Sequence, residues 1–253
     1  MPVNQKTHPA VDDRLADVWF ARLGRVLLPL RCLACGEAGA DGHDLCLDCQ
    51  RALPWNRSAC ARCGLPMPEP VAACGRCLRK PPPLDRVHAA FRYGFPVDNL
   101  LPRFKFHHDL AAGRELADAM RTALEAAMLD GAERPDALIA IPLHPKRLRQ
   151  RGYNQALELA QPLAKAFAIP LLHDGLRRVR DIAPQSELGA LARRRNPRGA
   201  FETGTDPLPA HVVLVDDVMT TGATLHECAR MLKRAGVQRV DAWVAARVLR
   251  GSH

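Results

Sequence analysis

Eight of the nine cysteines in this 253-residue chain fall into four Cys-x-x-Cys pairs, Cys32 with Cys35, Cys46 with Cys49, Cys60 with Cys63 and Cys74 with Cys77, repeating every 14 residues. A Cys-x-x-Cys turn aims two thiolates at one point, and two such turns complete the tetrahedral sulfur shell that zinc prefers. Two closed four-sulfur sites follow, and a closed site keeps no open position for water, so both zinc ions are expected to be structural. Disulfides compete for the same thiols. Asp12, Asp13 and Asp17, however, interrupt the stretch where a secretory leader needs an apolar run, which points to a reducing, cytoplasmic setting. Spacing leaves the pairing open between consecutive ribbons and an interleaved arrangement; consecutive ribbons are favoured. Gly36 and Gly64 follow the second cysteine of their pairs and suit a knuckle that needs positive φ. Cys228, the ninth, sits in a helical pattern and reads as a small buried apolar residue.

The remaining punctuation divides the chain into an N-terminal amphipathic helix (1–29), a double zinc ribbon (30–80) and an α/β domain (84–253). Val11, Leu15, Val18, Trp19, Leu23 and Val26 recur at helical spacing and read as a stripe packed on a neighbouring domain, with no membrane insertion. Pro81-Pro82-Pro83 ends the cysteine module as a stiff linker. Beyond it, apolar runs at 137–141, 169–172, 212–215 and 240–245 alternate with helical patterns near 154–167 and 223–235, which predicts a parallel sheet wrapped by helices. A net charge of +9 favours polyanionic company, either nucleic acid or a small phosphorylated ligand. The excess is densest at 146–151 and 193–198, both of which read as loops.

Residues 212–225 carry the chemistry: four aliphatic residues, the acids Asp216 and Asp217, a Thr220-Thr221-Gly222 turn, then a helical pattern. A buried strand ending in a turn that feeds a helix is where ligands sit in open α/β sheets. Backbone N–H groups from Thr220 to Thr224 at a helix N-terminus suit a phosphate, and Gly222 lets the backbone come close. The two carboxylates would repel that phosphate, so they match hydroxyl donors or a magnesium ion. A sugar phosphate with a free diol meets both demands. The Walker and dinucleotide fingerprints are absent from this stretch.

This stretch resembles the phosphoribosyl pyrophosphate (PRPP) motif of type I phosphoribosyltransferases. The resemblance implies that Asp216 and Asp217 lie near the ribose hydroxyls, that Thr220, Thr221, Gly222, Ala223 and Thr224 cradle the 5-phosphate, and that Mg²⁺ accompanies PRPP. Many purine-handling members carry a third acid where this chain has Thr220, so hypoxanthine or guanine transfer is less expected than for a generic member. The cysteine module together with Phe104-Lys105-Phe106, Ile141-Pro142-Leu143-His144-Pro145, Arg151-Gly152-Tyr153-Asn154-Gln155 and the stretch from Gln185 to Asn196 is similar to the ComF-like competence proteins, across almost the whole chain. That likeness implies a phosphoribosyltransferase-like fold linked to DNA uptake. It further implies pyrophosphate-side roles for His144, Lys146 and Arg147, and a mobile hood between Arg180 and Phe201 with Gln185, Arg194 and Arg198 as candidates. Two function classes follow: an enzyme that binds PRPP and transfers its phosphoribosyl group, or a non-catalytic scaffold or sensor that meets single-stranded DNA or a DNA-uptake motor protein.

Overall fold

A computed structural model describes residues 31–39, 44–180 and 199–249. The expected N-terminal helix, the basic run at 193–198 and the hood candidates Gln185, Arg194 and Arg198 lie outside the described residues. The chain runs α1 (Leu47–Arg51), α2 (Gly75–Arg79), β1 (Val87–Arg92), α3 (Val97–Phe106), α4 (Leu110–Leu129), β2 (Ala137–Ala140), α5 (Pro145–Arg151), α6 (Gln155–Phe167), β3 (Leu176–Arg178), β4 (Phe201–Thr203), β5 (His211–Met219), α7 (Ala223–Arg234) and β6 (Arg239–Arg247).

Four strands form a parallel sheet in the order β1-β6-β5-β2, and β3 pairs with β4 in a small antiparallel hairpin. Strands buried on both faces carry apolar residues without alternation, as β5 and β6 do. On one face α4 and α6 press Leu116, Met120, Leu159 and Leu163 toward Val213, Val215 and Trp243. On the other, Leu225, Cys228, Ala229 and Leu232 of α7 cover Val212, Leu214, Val240 and Ala242. Cys228 is a core residue, as its place in the helical pattern implies.

Three expectations change in detail. β5 continues through both acids to Met219, because β6 runs beside it as far as the Met219–Arg247 pair and keeps the ladder closed. The apolar run at 169–172 reduces to a single bridge between Leu171 and Leu138, since Pro170 has no N–H to contribute to a ladder. The basic run at 146–151, expected as a loop, is helix α5: Pro145 presets φ in its first turn, the His144 side chain caps the Lys146 N–H at 3.3 Å, and Gly152 closes it in the left-handed conformation.

The cysteines gather as two groups, Cys32, Cys35, Cys46 and Cys49, then Cys60, Cys63, Cys74 and Cys77, which is the consecutive pairing. Sulfur separations of 3.7 Å for Cys35–Cys46 and 3.9 Å for Cys60–Cys77 and Cys63–Cys74 match the edge of a tetrahedron with Zn–S bonds of about 2.3 Å. They are far beyond the ~2.05 Å of a disulfide. Burial and the neighbouring sulfurs push the Cys49, Cys63 and Cys77 thiols up, so four thiolates at one point require a cation, and the donor set fits zinc.

Both ribbons are built into the sheet domain. The second, with the segment 54–56 that leads into it, lies along the outer edge of β1: Val87 N–H donates to the Ala61 carbonyl (2.8 Å), Asn56 N–H to Ala90 (2.9 Å) and Arg92 N–H to Pro54 (2.9 Å). Trp55 packs against Phe91 with ring centroids 4.8 Å apart. Asp85 ties three parts together, holding Lys233 of α7 at 2.7 Å, the Val240 N–H at 2.9 Å and Arg62 of the ribbon at 3.6 Å. Burial opposes its charge, but those partners hold the carboxyl below its usual range. From the first ribbon, Cys32, Leu45 and Cys49 join the core beneath α3 and α4.

Individual ligands differ in burial within this arrangement. Purified protein is expected to carry two zinc ions per chain by elemental analysis. Cys60→Ser, at a fully buried ligand beneath the β1 edge, is expected to lower unfolding free energy by more than about 3 kcal/mol, and Cys35→Ser, at an exposed ligand, by less. Urea titration measures both, and equal losses would contradict the docking just described.

Candidate ligand site at the end of strand β5

Pleating sends successive side chains of β5 to opposite faces, so Asp217 follows Val213 and Val215 toward α3 and α6 while Asp216 follows Val212 and Leu214 toward α7. The Asp216 carboxylate turns back to accept the Asp217 N–H at 2.9 Å, and Asp217 accepts the Val218 N–H at 2.6 Å. Asp217 also holds the Lys105 ammonium at 2.9 Å. Burial, then the charge of Asp217, push the Asp216 carboxyl up to about 7, with Lys105 working in the opposite direction. The two acids are thus unequal near neutral pH: one is paired with a lysine, the other is poised to gain or lose a proton.

Beyond Met219 the chain turns into α7. Gly222 occupies the N-cap with φ +77°, a left-handed conformation that favours glycine. Thr221 Oγ1 accepts the Ala223 N–H at 3.3 Å and shapes the turn. Thr220 is exposed, and Thr221, Ala223 and Thr224 are half-buried, so the first turn of α7 opens toward solvent at the C-terminal end of the sheet. His226, beneath Gly222, is pushed down to about 4 by burial and by the charges of Arg230, Arg76 and Arg247, and is neutral there.

The loop after β2 lies next to this turn because Ile141 N–H continues the ladder onto the Val215 carbonyl at 2.9 Å. His144 is the cap of α5, its Nδ1 accepting from Lys146; Lys146 is exposed and Arg147 half-buried on that helix. Asn154 fastens the loop, donating to the Ile141 carbonyl at 3.1 Å while its Oδ1 caps α6 through the Ala156 N–H at 3.1 Å.

Lys105 and Arg151 join the candidate site in the structure, although the sequence offers Arg151 only as the end of the basic run 146–151 and Lys105 only as part of a family-like segment. Phe104 is fully buried, and its carbonyl accepts a short hydrogen bond from the Tyr153 hydroxyl. Phe106, on the other side of Lys105, lies exposed under the Arg151 guanidinium, 5.3 Å from the ring centroid. Arg151 also donates to Gln155 Oε1 at 3.0 Å. Burial lowers its pKa and the charge of Asp217 opposes that shift, which places the guanidinium within electrostatic reach of the acid. The segments 104–106 and 151–155 thus interlock through Phe106 and Arg151, and Lys105 between the two aromatics pairs with Asp217. The sequence-level signals are the lysine between two aromatics, the basic run ending at Arg151, and the likeness of both segments to the competence proteins.

A groove of about 1300 Å³ lies elsewhere, between the second ribbon, β1 and α4, and none of residues 216–224 line it. The chemistry at the end of β5 makes that polar locus the candidate site, because it joins a helix N-terminus, two acids and cations where a parallel sheet presents ligands.

Lys105→Met should leave a buried carboxylate without its counter-ion. Removing one partner of a buried pair costs about 3–5 kcal/mol, and partial exposure of these side chains, 23% and 12%, reduces the expected loss to about 1–3 kcal/mol. Urea unfolding reads the loss, and Lys105→Met/Asp217→Asn recovers most of it if the pair is real; simple additivity contradicts the pair.

The same architecture occurs in known proteins. The double zinc ribbon domain family matches residues 23–78, and the phosphoribosyl transferase domain family matches residues 153–252, a span holding β5, the turn and α7. Over 228 residues, 88% of this chain and 99% of its relative, the sequence is 36% identical to the DNA utilization protein YhgH of Escherichia coli. It is 36% identical to competence protein F of Haemophilus influenzae over 67% of this chain and 76% of that protein. With competence protein ComFC of Streptococcus pneumoniae it shares 25% identity over 63% of this chain and 67% of that one. Among the described residues no helix is long and apolar enough to cross a membrane. With the parallel sheet, the two four-cysteine groups and these relatives in agreement, the chain belongs to the YhgH and competence protein F family, in which a double zinc ribbon precedes a phosphoribosyl transferase domain.

Proposed function

We propose that the chain binds PRPP or a related ribose 5-phosphate at the end of β5, in a role connected with DNA uptake. The carrying observation is the juxtaposition of a glycine-capped helix N-terminus with two unequal acids at the C-terminal edge of a parallel sheet. In this reading the amides and hydroxyls of Thr220, Thr221, Gly222, Ala223 and Thr224 cradle the 5-phosphate, and Asp216 and Asp217 receive the ribose hydroxyls. His144, Lys146 and Arg147 face the pyrophosphate side, where Lys105 and Arg151 add positive charge. Magnesium would arrive with the pyrophosphate oxygens, since Asp217 is already engaged by Lys105 and the two acids form no ready-made cation cage.

Should turnover occur, a nitrogen nucleophile attacks the sugar C1, the C1–O bond to pyrophosphate breaks with its electrons leaving on pyrophosphate, and the proton passes to solvent. No protein nucleophile is needed. The site's work is positioning and neutralising the departing charge. Thr220 cannot accept a proton from a base near neutral pH, so purine acceptors are disfavoured. We place the chain in the cytoplasm, where eight thiols stay available to metal, with domains at 30–80 and 84–253 after an N-terminal helix at 1–29.

The names of the relatives and a net charge of +9 support a second reading, a scaffold or sensor that meets single-stranded DNA or a DNA-uptake motor protein. Trp55 is already packed on Phe91, which favours phosphate-driven contact over base stacking. Binding to labelled single-stranded DNA that weakens steeply with salt supports this reading; no binding at low salt removes it.

Calorimetric titration of the zinc-loaded protein with PRPP and magnesium tests the first reading. Asp216→Asn/Asp217→Asn is expected to weaken binding at least about tenfold, consistent with lost hydrogen bonds to charged groups. Intact binding without pyrophosphate release across nucleobases and small amines would leave a binding protein and remove the enzyme. The Asp216 carboxyl, near 7, gives a pH signature. Accepting ribose hydroxyls favours its charged form, so the ligand draws the pKa down, a proton is released on binding, and affinity rises as pH increases through about 7. That rise should be smaller in Asp216→Asn, which retains only the ligand's own titration; identical pH profiles contradict the assignment.

A further inference from the structure

The largest fully buried side chain among the described residues is that of an arginine. Arg247 ends β6 opposite Met219 and is 1% exposed. Its Nε donates to the Cys63 carbonyl at 2.9 Å, and its Nη1 donates to the carbonyls of Met219 at 2.8 Å, Val248 at 2.9 Å and Thr220. A guanidinium leaves water only when its donors are met, and here main-chain oxygens of two distant segments meet those of Nε and Nη1. One is the knuckle of the second ribbon, at the zinc-ligating Cys63. The other is the start of the turn that leads into α7.

In a trans peptide the C=O and the following N–H point in opposite directions. Pinning the Met219 and Thr220 carbonyls therefore turns the Thr220 and Thr221 N–H groups away from Arg247, toward the open side of the turn. At the other end, the ribbon must hold its shape for the Cys63 carbonyl to stay in place, and that shape comes from the four-sulfur site. Arg76 of α2, inside the same ribbon, adds its charge beneath the turn, since it is among the cations that keep His226 neutral.

We propose that Arg247 is a positioning residue that couples metal occupancy of the second zinc ribbon to the conformation of the 220–224 cradle. The ribbon then acts on the ligand site from behind without touching ligand. The inference rests on the proposed ribose-phosphate reading only for what the cradle holds; the strut itself can be read without ligand.

Backbone hydrogen exchange of the zinc-loaded protein, followed by mass spectrometry on peptides covering 219–225, is the measurement. Arg247→Met should retain two zinc ions, exchange the cradle amides about tenfold faster and bind PRPP about tenfold more weakly, the scale of one lost hydrogen bond to a charged group. Arg247→Lys, which keeps the charge but not the fork, should fall between the two. A folded Arg247→Met with cradle exchange and PRPP affinity within about twofold of wild type overturns the proposal. If Arg247→Met does not fold, graded chelation of wild type decides, with occupancy of the second site read by alkylation of Cys60, Cys63, Cys74 and Cys77. Cradle protection should fall in step with that occupancy while α4 remains protected; cradle protection that is indifferent to it overturns the proposal. Cradle exchange that follows zinc in a protein unable to bind PRPP supports the strut and refutes the ligand reading separately.

Discussion

A parallel sheet ends in strands whose outer N–H and C=O groups need partners, and on the β1 side of this protein the second zinc ribbon and the segment leading into it provide them. That one contact organises much of what lies behind the site. It makes the ribbon an extension of the sheet, so the energy that metal contributes to the ribbon also steadies β1, and through β6 the strand that carries the acids. It also brings the Cys63 knuckle within reach of Arg247 at the far end of β6. The sheet, the metal sites and the turn into α7 are thereby mechanically continuous, although 184 residues separate Cys63 from Arg247 in sequence.

The charges at the end of β5 are arranged with similar economy. Two adjacent acids in a desolvated setting would repel each other, and the fold responds by pairing one with Lys105 and leaving the other close to its titration point. Lys105 reaches Asp217 because Phe104 anchors its helix in the core and Tyr153 bonds the Phe104 carbonyl. Arg151, stacked on Phe106, comes from the start of the same Tyr153 segment. The acidic pair therefore sits in a field that an incoming anionic ligand would find tolerable, with cations on the α3 and α5 side and Arg76, Arg230 and Arg247 beneath the turn.

How much of this was readable in the chain follows from the range of the interactions involved. The cysteine turns, the aliphatic run of β5, Gly222 and the start of α7 are local patterns, and each holds in the structure. Beyond that range the reading weakened. The extension of β5 through Asp216 to Met219 depends on a partner strand some 28 residues away, and Pro170 trims another expected strand to one bridge. Residues 146–151 looked like a loop because their charges mask a helix set by Pro145, His144 and Gly152. That Lys105, Arg151 and Arg247 gather around the end of β5 was not readable, since a lone lysine, the last member of a basic run and a strand-end arginine all read as solvated surface until tertiary packing brings them together. Arg247 is the extreme case: a charge closing an apolar strand looks like its exposed end, and only the register with Met219 reveals that it is inside.

The central claim is that the turn between β5 and α7 is a ribose-phosphate site and that the acids before it face the sugar. A crystal structure of the zinc-loaded protein grown with PRPP and magnesium tests this most directly. The account predicts the 5-phosphate on the amides of residues 220–224, with the ribose hydroxyls at Asp216 and Asp217. Phosphate density in the groove between the second ribbon and β1, or an empty turn at saturating PRPP, would contradict it.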